Sequence, residues 1–404
     1  MHTITKYIDN QTENIVELQR LLTSIPAMAP ENGGQGELEK CIALEKWLEK
    51  NGINNVQRFD APDSRVSSTI RPNLIATIEG ENDEKTMWVM AHLDVVPPGD
   101  LEDWKTDPWV LVRDGDKIYG RGVEDNQQGL CAGVFASLAL IKNNIKPTYT
   151  VKLLFVSDEE CGSVYGIQYL LTEYNLFRKQ DLILIPDGGD PEGISIEIAE
   201  KNLLWLKITI KGKQSHGSMP NEGINAMLAG CDLALCLHDL ERVFNKKDAL
   251  FSPDHSTFQP TKKEANVESI NIIPGKDVFY MDCRILPCYT LDEVRKEITE
   301  RIGKIEQKYT VTVTVEEPQA ASSVSTSPTA PVVVALSAAI KEVTGKKAEV
   351  VGIGGGTVAS YLRNAGFDAV VWSTLDETMH QPNESCSLKN LKQDAAILVS
   401  FFTQ

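Results

Sequence analysis

The sequence has 404 residues, 42% of them hydrophobic, so the chain is long enough to bury a large core and to divide into two domains. A formal net charge of -17, without a dense Lys/Arg stripe, argues against a nucleic-acid partner. The longest apolar stretch, residues 129–141, is shorter than the roughly 20 residues of a membrane-spanning helix, which argues against a membrane partner.

The amino-terminal segment and the cysteines indicate a cytoplasmic protein. Residues 1–22 are polar and amphipathic and lack the basic and apolar stretches of a leader peptide, so we predict a first helix of the mature protein. The eight cysteines are scattered and include no C-x-x-C pair, which favours free thiols in a reducing compartment.

Two helical patterns open the chain, the first with Leu18 and Leu22 on its apolar face and the second running from Leu38 to a stop at Gly52. Short aliphatic or β-branched runs then alternate with helix-like segments such as residues 129–142. This alternation predicts an α/β fold in which a mostly parallel sheet is sandwiched by helices. The strand-like runs are residues 73–78, 87–90, 151–156 and 182–185.

The pattern changes near Lys201, where a strand, a helix, two strands, a helix and a strand follow in order. This β-α-β-β-α-β order is that of the split ferredoxin-like unit, so we predict an inserted α+β domain. After a linker, QAASSVSTSPTAP, the helix–strand alternation returns with the run DAVVWST. The predicted segments of the insert are residues 203–213, 226–244, 269–275, 278–286, 291–308 and 310–317. The predicted domains are residues 1–199 and 318–404 for the main domain and 200–317 for the insert.

Four apolar runs lead into residues that can bind a metal ion. In an open α/β sheet the carboxyl ends of the strands converge on one rim, where ligands bind. One polar strand end would be weak evidence, because a strand can simply end at the surface. Four of them, with Asp125 in the loop GRGVEDNQQG, predict a functional site. The residues at these ends are His92 and Asp94, then Asp158, Glu159 and Glu160, then Asp187, and finally His380.

These residue types suit a pair of metal ions. Imidazole nitrogen and carboxylate oxygen are both zinc ligands, and a carboxylate can bridge two ions that share a hydroxide nucleophile. Asp94, two residues beyond His92, is placed to accept the N–H of the histidine's second ring nitrogen and so to orient the ring. Of the adjacent Glu159 and Glu160, one is expected to bind metal and the other to act as a proton shuttle, and the spacing leaves open which does which.

Six blocks of the sequence resemble one known family. They resemble the zinc exopeptidases that include acetylornithine deacetylase, succinyl-diaminopimelate desuccinylase, aminoacylase, the glutamate-releasing carboxypeptidase and the carnosinase-like dipeptidases. The match runs in order over nearly the whole chain, so it is specific for the family, but it says little about the substrate. The blocks are HLDVVPPG, the W-x-x-D-P-W pattern of residues 104–109, IYGRGVEDNQQG, SDEECGS, PDGG and ETMHQPNE.

The resemblance implies a role for each residue of the predicted metal site. It implies two Zn2+ ions, with Co2+ or Mn2+ as alternatives, bridged by Asp125. It makes Glu159 the general base and then the general acid, and it implies a cis peptide bond between Asp125 and Asn126. The implied terminal metal ligands are His92, Glu160, Asp187 and His380.

The inserted domain resembles the family's lid and dimerisation domain. His216 resembles the histidine that stabilises the tetrahedral oxyanion, in many relatives at the neighbouring subunit's site. Asn271 and Arg284 resemble residues that hold the substrate's backbone or carboxylate, and a guanidinium fork can bind both oxygens of a carboxylate. For Arg284 an ordinary surface ion pair is the alternative.

Two further segments have competing interpretations. The resemblance makes GIGGGT, with Gly355 and Thr357, a substrate-binding glycine turn whose backbone N–H groups meet a carboxylate. The alternative is a phosphate loop, but the segment lacks the third glycine of G-x-G-x-x-G and the lysine of a P-loop. A second question is whether Cys161 is a nucleophile. A thiolate beside Glu159 and Glu160 is destabilised by like charge, which favours a packing residue.

The resemblance implies hydrolysis of the amide bond of a small N-acyl amino acid by a hydroxide that the two metals hold. Hydrolysis of small peptides, as by a dipeptidase or carboxypeptidase, is the alternative that the same site permits, and the short predicted lid favours deacylation. An alternative of another class is a non-catalytic binding protein on the same fold. We expect a cytoplasmic homodimer formed through the inserted domain, with a small N-acyl amino acid or dipeptide as its partner.

Overall fold

The computed structural model of the chain describes residues 2–404, with side chains described from residue 6 onward. Its helices are α1 (His2–Asp9), α2 (Thr12–Thr23), α3 (Leu38–Asn51), α4 (Gln127–Lys142), α5 (Ile167–Glu173), α6 (Ala226–His238), α7 (Leu291–Tyr309), α8 (Pro331–Thr344), α9 (Ala359–Asn364) and α10 (Leu388–Phe402). Its strands are β1 (Val56–Pro62), β2 (Ile70–Ile78), β3 (Asn82–His92), β4 (Val112–Asp114), β5 (Lys117–Tyr119), β6 (Tyr149–Val156), β7 (Leu182–Ile185), β8 (Ser195–Glu200), β9 (Asn202–Lys211), β10 (Ser215–His216), β11 (Thr257–Lys263), β12 (Ile272–Ile273), β13 (Lys276–Ile285), β14 (Thr312–Ala321), β15 (Glu349–Ile353), β16 (Ala369–Val371) and β17 (Ser385–Ser387).

The chain divides into two compact units. Unit 1 comprises Met1–Ile198, Thr326–Val351 and Thr357–Gln404, and unit 2 comprises Ala199–Ser325 and Gly352–Gly356. The lid and dimerisation roles expected of residues 200–317 stay predictions. Within residues 2–404, no helix combines the length and the apolar character that crossing a bilayer requires.

An eight-stranded sheet organises unit 1, in the order β1-β2-β6-β3-β7-β16-β8-β15. The central neighbours β6, β3, β7 and β16 run parallel, whereas β1 and β2, β2 and β6, and β16 and β8 pair antiparallel. The predicted α/β fold with a mostly parallel sheet between helices is confirmed. The predicted stop of the second helical pattern is confirmed as well, since Gly52 has a φ of 102° just after α3.

Helices cover both faces of the central strands, which is why these strands are apolar without alternation. All four residues of β7 are buried, and β3 is buried from residue 86 to its end. Successive side chains of a strand point to opposite faces. Val89 accordingly contacts α4 at Gly133, whereas Trp88 packs in a cluster with Leu170 of α5 and Leu362 of α9.

Unit 2 contains a four-stranded antiparallel sheet in the order β11-β13-β9-β14, and α6 and α7 pack against it. The chain order β9-α6-β11-β13-α7-β14 with this strand order is the ferredoxin-like arrangement, so the predicted class of the insert is confirmed. Several predicted boundaries differ from the structure. α6 ends at His238 and continues as a 3-10 helix to Arg242, short of the predicted end at residue 244. β14 continues to Ala321, inside the predicted linker.

The strand predicted at residues 269–275 is longer than the strand in the structure, and its predicted place in the ferredoxin-like sheet is wrong. In that segment only Ile272–Ile273 is a strand, and it pairs with β10. The place in the four-stranded sheet belongs to β11, which contains Pro260 and buries Phe258 alone. β11 is an edge strand with an irregular register between Pro260 and Lys262, where proline and polar residues are tolerated. Its sequence therefore lacks the apolar alternation that would have indicated a strand.

Candidate metal centre

Three neighbouring parallel strands bring most of the predicted ligands to one rim of the sheet. β3 ends at His92, and β7 ends two residues before Asp187. β6 ends just before the turn that carries Glu159 and Glu160. Because β6, β3 and β7 run parallel and side by side, their carboxyl ends lie together. Residues that are far apart in the sequence therefore share one location in unit 1.

Asp125 divides its carboxylate between two histidines. Its Oδ1 lies 2.8 Å from Nε2 of His92, and its Oδ2 lies 2.9 Å from Nε2 of His380. Nε2 of His92 also lies 3.5 Å from Oδ1 of Asp187, and Nε2 of His380 lies 3.1 Å from Oε2 of Glu160. The donors thus form two sets that share Asp125. One carboxylate shared by two such sets suits a pair of metal ions.

The loop that carries Asp125 is tied to the end of β7. The Asp125–Asn126 peptide bond is cis, so the expected cis bond is confirmed. Nδ2 of Asn126 donates to the main-chain carbonyl of Pro186 at 2.7 Å and to Oδ1 of Asp187 at 2.5 Å. These bonds link the loop before α4 to the predicted ligand after β7.

The structure corrects the expected contact between His92 and Asp94. Nδ1 of His92 donates to the main-chain carbonyl of Asp94 at 2.9 Å, whereas the Asp94 carboxylate lies 3.6 Å from it. The carboxylate instead accepts the main-chain N–H groups of Glu159 and Glu160, each at 3.0 Å. Two N–H donors suit a carboxylate better than one, and the carbonyl already satisfies the ring. Asp94 therefore orients the ring through its backbone and the glutamate turn through its side chain.

Glu159 and Glu160 belong to one short turn, and both reach the cluster. Donor atoms of His92, Glu159 and Asp187 all lie within 4.8 Å of one another, and so do donor atoms of His92, Asp125 and Glu160. Glu160 is the one that approaches His380. The division of labour between the two glutamates, one a ligand and one a base, stays a prediction.

Negative charge exceeds positive charge in this cluster. Burial, followed by the charge of Asp187, raises the pKa of Glu159 well above its usual value. Although burial opposes it, the Asp187 carboxylate raises the pKa of His92. The hydrogen bond with Asp125 raises the pKa of His380 to about 10. Without a cation, these side chains keep protons that offset the negative charge of the carboxylates. Divalent cations would offset the same negative charge, so the donor set fits two metal ions.

Cys161 ends the glutamate turn but has the electrostatics of an unreactive thiol. Burial, followed by the charge of Asp94, raises the pKa of the Cys161 thiol to about 11. Nδ2 of Asn32 donates to its sulfur at 3.6 Å. The expected upward shift is confirmed, and it argues against a nucleophilic role because the thiolate is the reactive form.

In unit 2, His216 and Asn271 are neighbours. His216 lies in β10, Asn271 directly precedes β12, and the two strands pair. Both side chains are exposed. Nδ1 of His216 lies 2.8 Å from the hydroxyl oxygen of Ser218, and the carbonyl of Asn271 accepts the N–H of Gly217 at 2.6 Å. Their roles toward a substrate stay predictions.

Arg284 lies in β13 and has partners within unit 2. Its fork donates to both carboxylate oxygens of Asp282, at 2.7 and 3.0 Å, and its Nη1 donates to the carbonyl of Gly354 at 2.9 Å. A side chain added at Gly355 would meet nothing closer than 3.9 Å, so packing does not require glycine there. Thr357, in unit 1, accepts the N–H of Ala359 at 3.2 Å. The substrate-binding roles of these residues also stay predictions.

Two buried glutamates beside the predicted ligands are absent from the sequence-based prediction. Glu384 accepts the main-chain N–H groups of Glu124 and Asp125 at 2.9 and 3.0 Å. Glu124 in turn accepts the N–H of Thr378 at 2.6 Å. Both glutamates stand inside blocks that carry the family resemblance, and that was the available signal for them.

Known sequences are similar to this chain over nearly its whole length. An uncharacterized metallohydrolase of Methanocaldococcus jannaschii is 38% identical over 401 residues, which cover 95% of this chain and 98% of that protein. The succinyl-diaminopimelate desuccinylase of a Nitratiruptor species is 26% identical over 396 residues, which cover 94% of this chain and 96% of that protein.

Solved structures share the fold. Aminopeptidase PepT of Bacillus cereus has a TM-score of 0.78 at 20% identity, covering 97% of this chain and 98% of that one. Human carnosine dipeptidase 1 has a TM-score of 0.70 at 18% identity, covering 99% and 98%. The Bacillus subtilis YXEP protein, described as a dinuclear metal binding peptidase, has a TM-score of 0.66 at 15% identity, covering 97% and 98%.

The family match covers the predicted metal site. Residues 88–404 match peptidase family M20/M25/M40, and this span contains all the predicted ligands from His92 to His380. The alternative of a non-catalytic binding protein is therefore set aside. The chain belongs to peptidase family M20/M25/M40, and it is a metallohydrolase of the peptidase and amidohydrolase kind.

Proposed function

We propose that this enzyme binds two Zn2+ ions, or Co2+ or Mn2+ in their place, and hydrolyses the amide bond of a small N-acyl amino acid. The observation that carries the proposal is the carboxylate of Asp125, whose two oxygens approach two different histidines. Support also comes from a relative named succinyl-diaminopimelate desuccinylase and from a fold neighbour described as dinuclear. The proposed ligands are His92, Asp125, Glu160, Asp187 and His380.

The side chains around the ligands are proposed to move and hold protons. Metal ions held by these ligands would polarise the substrate carbonyl and lower the pKa of a bound water. Glu159 takes a proton from the water that attacks the carbonyl carbon, and it delivers this proton to the amine nitrogen as the C–N bond breaks. The Asp94 carboxylate holds the glutamate turn in place by accepting the main-chain N–H groups of Glu159 and Glu160.

Residues of unit 2 are proposed to recognise the substrate. His216 stabilises the oxyanion, and Asn271 and Arg284 hold the substrate's backbone or free carboxylate. Gly355 of unit 2 and Thr357 of unit 1 are proposed to offer backbone and hydroxyl contacts. The fork of Arg284 engages Asp282, so binding of a substrate carboxylate requires that Arg284 exchange one carboxylate for another.

A substrate panel tests the activity. We would strip the protein with a chelator, restore it with Zn2+, Co2+ or Mn2+, and measure kcat/KM for N-acetyl and N-succinyl amino acids and for dipeptides. The expected result is hydrolysis that requires metal and is highest on one N-acyl amino acid. Hydrolysis that is unchanged by the chelator would overturn the two-metal proposal.

Hydrolysis of small peptides is the second candidate. It is favoured by the shared fold with human carnosine dipeptidase 1 and with aminopeptidase PepT. The same panel separates the two candidates, because a dipeptidase would show its highest kcat/KM on a dipeptide and little activity on N-acyl amino acids. That outcome would replace the deacylase proposal while keeping the metal centre.

A homodimer through unit 2 is proposed from the outer side of α6. Leu228 and Leu235 are 56% and 69% exposed there, and α6 lies next to the edge strand β11. A second copy of this chain would cover these apolar side chains. Light scattering after gel filtration should give a dimer for the wild type and a monomer for Leu235→Glu, and a monomeric wild type would contradict the proposal.

The proposed compartment is the cytoplasm, because all eight cysteines are free thiols.

A further inference from the structure

We propose that Glu124 and Glu384 are positioning residues that lock two loops together and so hold Asp125 and His380 in place for the metal ions. Loop A is residues 121–126 and carries Asp125. Loop B is residues 374–384 and carries His380. The inference rests on the proposed roles of Asp125 and His380 as metal ligands. Each loop contributes one buried carboxylate that binds the backbone of the other loop.

Glu384 is the part of the lock that loop B supplies. Its side chain is fully buried, and its Oε1 accepts the main-chain N–H groups of Glu124 at 2.9 Å and Asp125 at 3.0 Å. Its Oε2 accepts the N–H of Gly122 at 3.0 Å and Nη1 of Arg121 at 2.7 Å. Four donors on one carboxylate leave the backbone of loop A little freedom, and one of them is the N–H of Asp125 itself.

Glu124 is the part of the lock that loop A supplies. It is 1% exposed, and its two oxygens accept the main-chain N–H groups of Asp376 and Thr378. The hydroxyl of Thr378 lies 2.6 Å from the same carboxylate. These contacts hold loop B two residues before His380. Glu124 adjoins Asp125 in the chain, so the two proposed ligands are connected through one short path.

Loop B needs such a lock because its backbone conformation is locally unfavourable. Glu377, His380 and Asn383 have φ values of 61°, 61° and 63°, in the left-handed region that residues other than glycine rarely adopt. Local preferences therefore do not select this conformation, and contacts from elsewhere must do so. Asn383 ties the end of loop B to Asp103 and Lys105. Glu124 and Glu384 supply the contacts that tie loop B to loop A.

The two glutamates act on different ligands, which gives the proposal an asymmetric consequence. Glu124 holds the segment before His380, and His380 belongs to the donor set with Asp125 and Glu160. Loss of the Glu124 carboxylate should therefore weaken the binding of one metal ion more than the binding of the other. Glu384 holds the backbone of Asp125, which both donor sets share. Loss of the Glu384 carboxylate should therefore weaken the binding of both ions.

The test is a Co2+ titration of the full chain after chelator treatment. Binding is monitored by calorimetry and by the visible absorption of bound Co2+. The wild type is expected to bind two equivalents. Glu124→Gln should weaken one equivalent about 10- to 100-fold and leave the other within about threefold. Glu384→Gln should weaken both about tenfold or more. Glutamine keeps the shape, but its NH2 group faces backbone N–H groups and cannot accept from them.

Asp181→Asn is the matched control. Asp181 is also a buried carboxylate of unit 1, and in the middle of β3 it accepts the N–H of Thr86 at 2.9 Å and Nε1–H of Trp88 at 3.0 Å. Its variant should lose stability to urea without any change in either Co2+ affinity. The proposed positioning role would be overturned if both glutamine variants behaved like Asp181→Asn. It would also be overturned if Glu124→Gln weakened the binding of both equivalents equally.

A milder variant keeps the test decisive if Glu384→Gln does not fold. Thr378→Val removes one hydroxyl bond to Glu124 and should weaken, by a few-fold, the same equivalent that Glu124→Gln weakens. An effect on the other equivalent instead would overturn the lock. A wild type that binds no Co2+ would refute the proposed function, whereas a two-metal wild type with unaffected variants would refute the lock alone.

Discussion

Two groups of buried or partly buried acidic side chains lie in unit 1, and their negative charges are balanced in different ways. The arginine group consists of Arg71 with Glu37, Asp63 and Asp158. Arg71 is fully buried, and its Nε donates to Glu37 at 2.6 Å, while its Nη1 and Nη2 lie 3.4 and 3.3 Å from Asp63 and Asp158. Here the chain supplies its own cation for the carboxylates.

In the part of the chain whose side chains the structure describes, the ion pairs of the metal-donor group involve histidine and no arginine or lysine. Its positive partners are the imidazoles of His92 and His380, and carboxylates outnumber them. Its members are His92, Asp94, Asp125, Glu159, Glu160, Asp187 and His380. Burying like charges together is costly unless a cation offsets them. The carboxylates of the arginine group are therefore neutralised by the chain itself, whereas those of the metal-donor group need bound cations.

The largest expected effect concerns Glu159. If it is the proton carrier of the metal-donor group, Glu159→Gln should keep two metal ions per chain and lower kcat by about 10²- to 10⁴-fold. Metal content and kcat on the best substrate of the panel are the measurements. Glu173→Gln, on the exposed end of α5, is the matched control and should retain full activity. Loss of one metal ion in Glu159→Gln would show instead that Glu159 is a ligand.

The second largest effect is expected from a substitution in the arginine group, and it concerns the stability of the fold. Arg71→Met removes its central cation and leaves three buried carboxylates without it, so we expect the free energy of unfolding to fall by about 3–5 kcal/mol. Urea denaturation followed by circular dichroism measures this. The double variant Arg71→Met/Glu37→Leu should recover part of the loss. A cost below about 1 kcal/mol would mean that Arg71 does not balance the group.

A smaller effect concerns pH. Hydrogen bonds from Arg65, against the effect of burial, lower the pKa of Asp63 from 3.8 to about 2. A lowered pKa in the folded state stabilises the protein above the unfolded pKa, and this contribution is lost as the pH falls from about 4 toward 2. The contribution is about 2 kcal/mol. The stability difference between the wild type and Asp63→Asn should therefore be full at pH 6 and shrink below pH 4.

The smallest effect is expected at Cys161, which stands next to both groups. Because the pKa of its thiol is raised to about 11, almost none of it is thiolate at neutral pH. Cys161→Ser should change kcat/KM by less than about twofold, since the hydroxyl is a small group that can still accept the hydrogen bond from Asn32. A loss of a hundredfold or more would place Cys161 in the chemistry.

Much of the fold could be predicted from the sequence because its signals are local. The runs at β6 and β7 are buried on both faces and read as apolar strands, and α3 ends where Gly52 supplies a left-handed residue. β11 could not be predicted, because an edge strand with Pro260 and one buried side chain has no apolar period. Its place in the sheet depends on pairing with β13, which is a long-range contact.

The sequence by itself determined which residues stand at the carboxyl ends of the strands, since strand periodicity and chain order are written locally. It also carried the blocks that indicate the family. The tertiary structure alone decided that Asp125 would face His92 with one oxygen and His380 with the other, and that the Asp94 carboxylate would bind the glutamate turn. The N–H of Asp125 and the carboxylate of Glu384 are 259 residues apart in the chain, and no local pattern encodes a hydrogen bond over that separation.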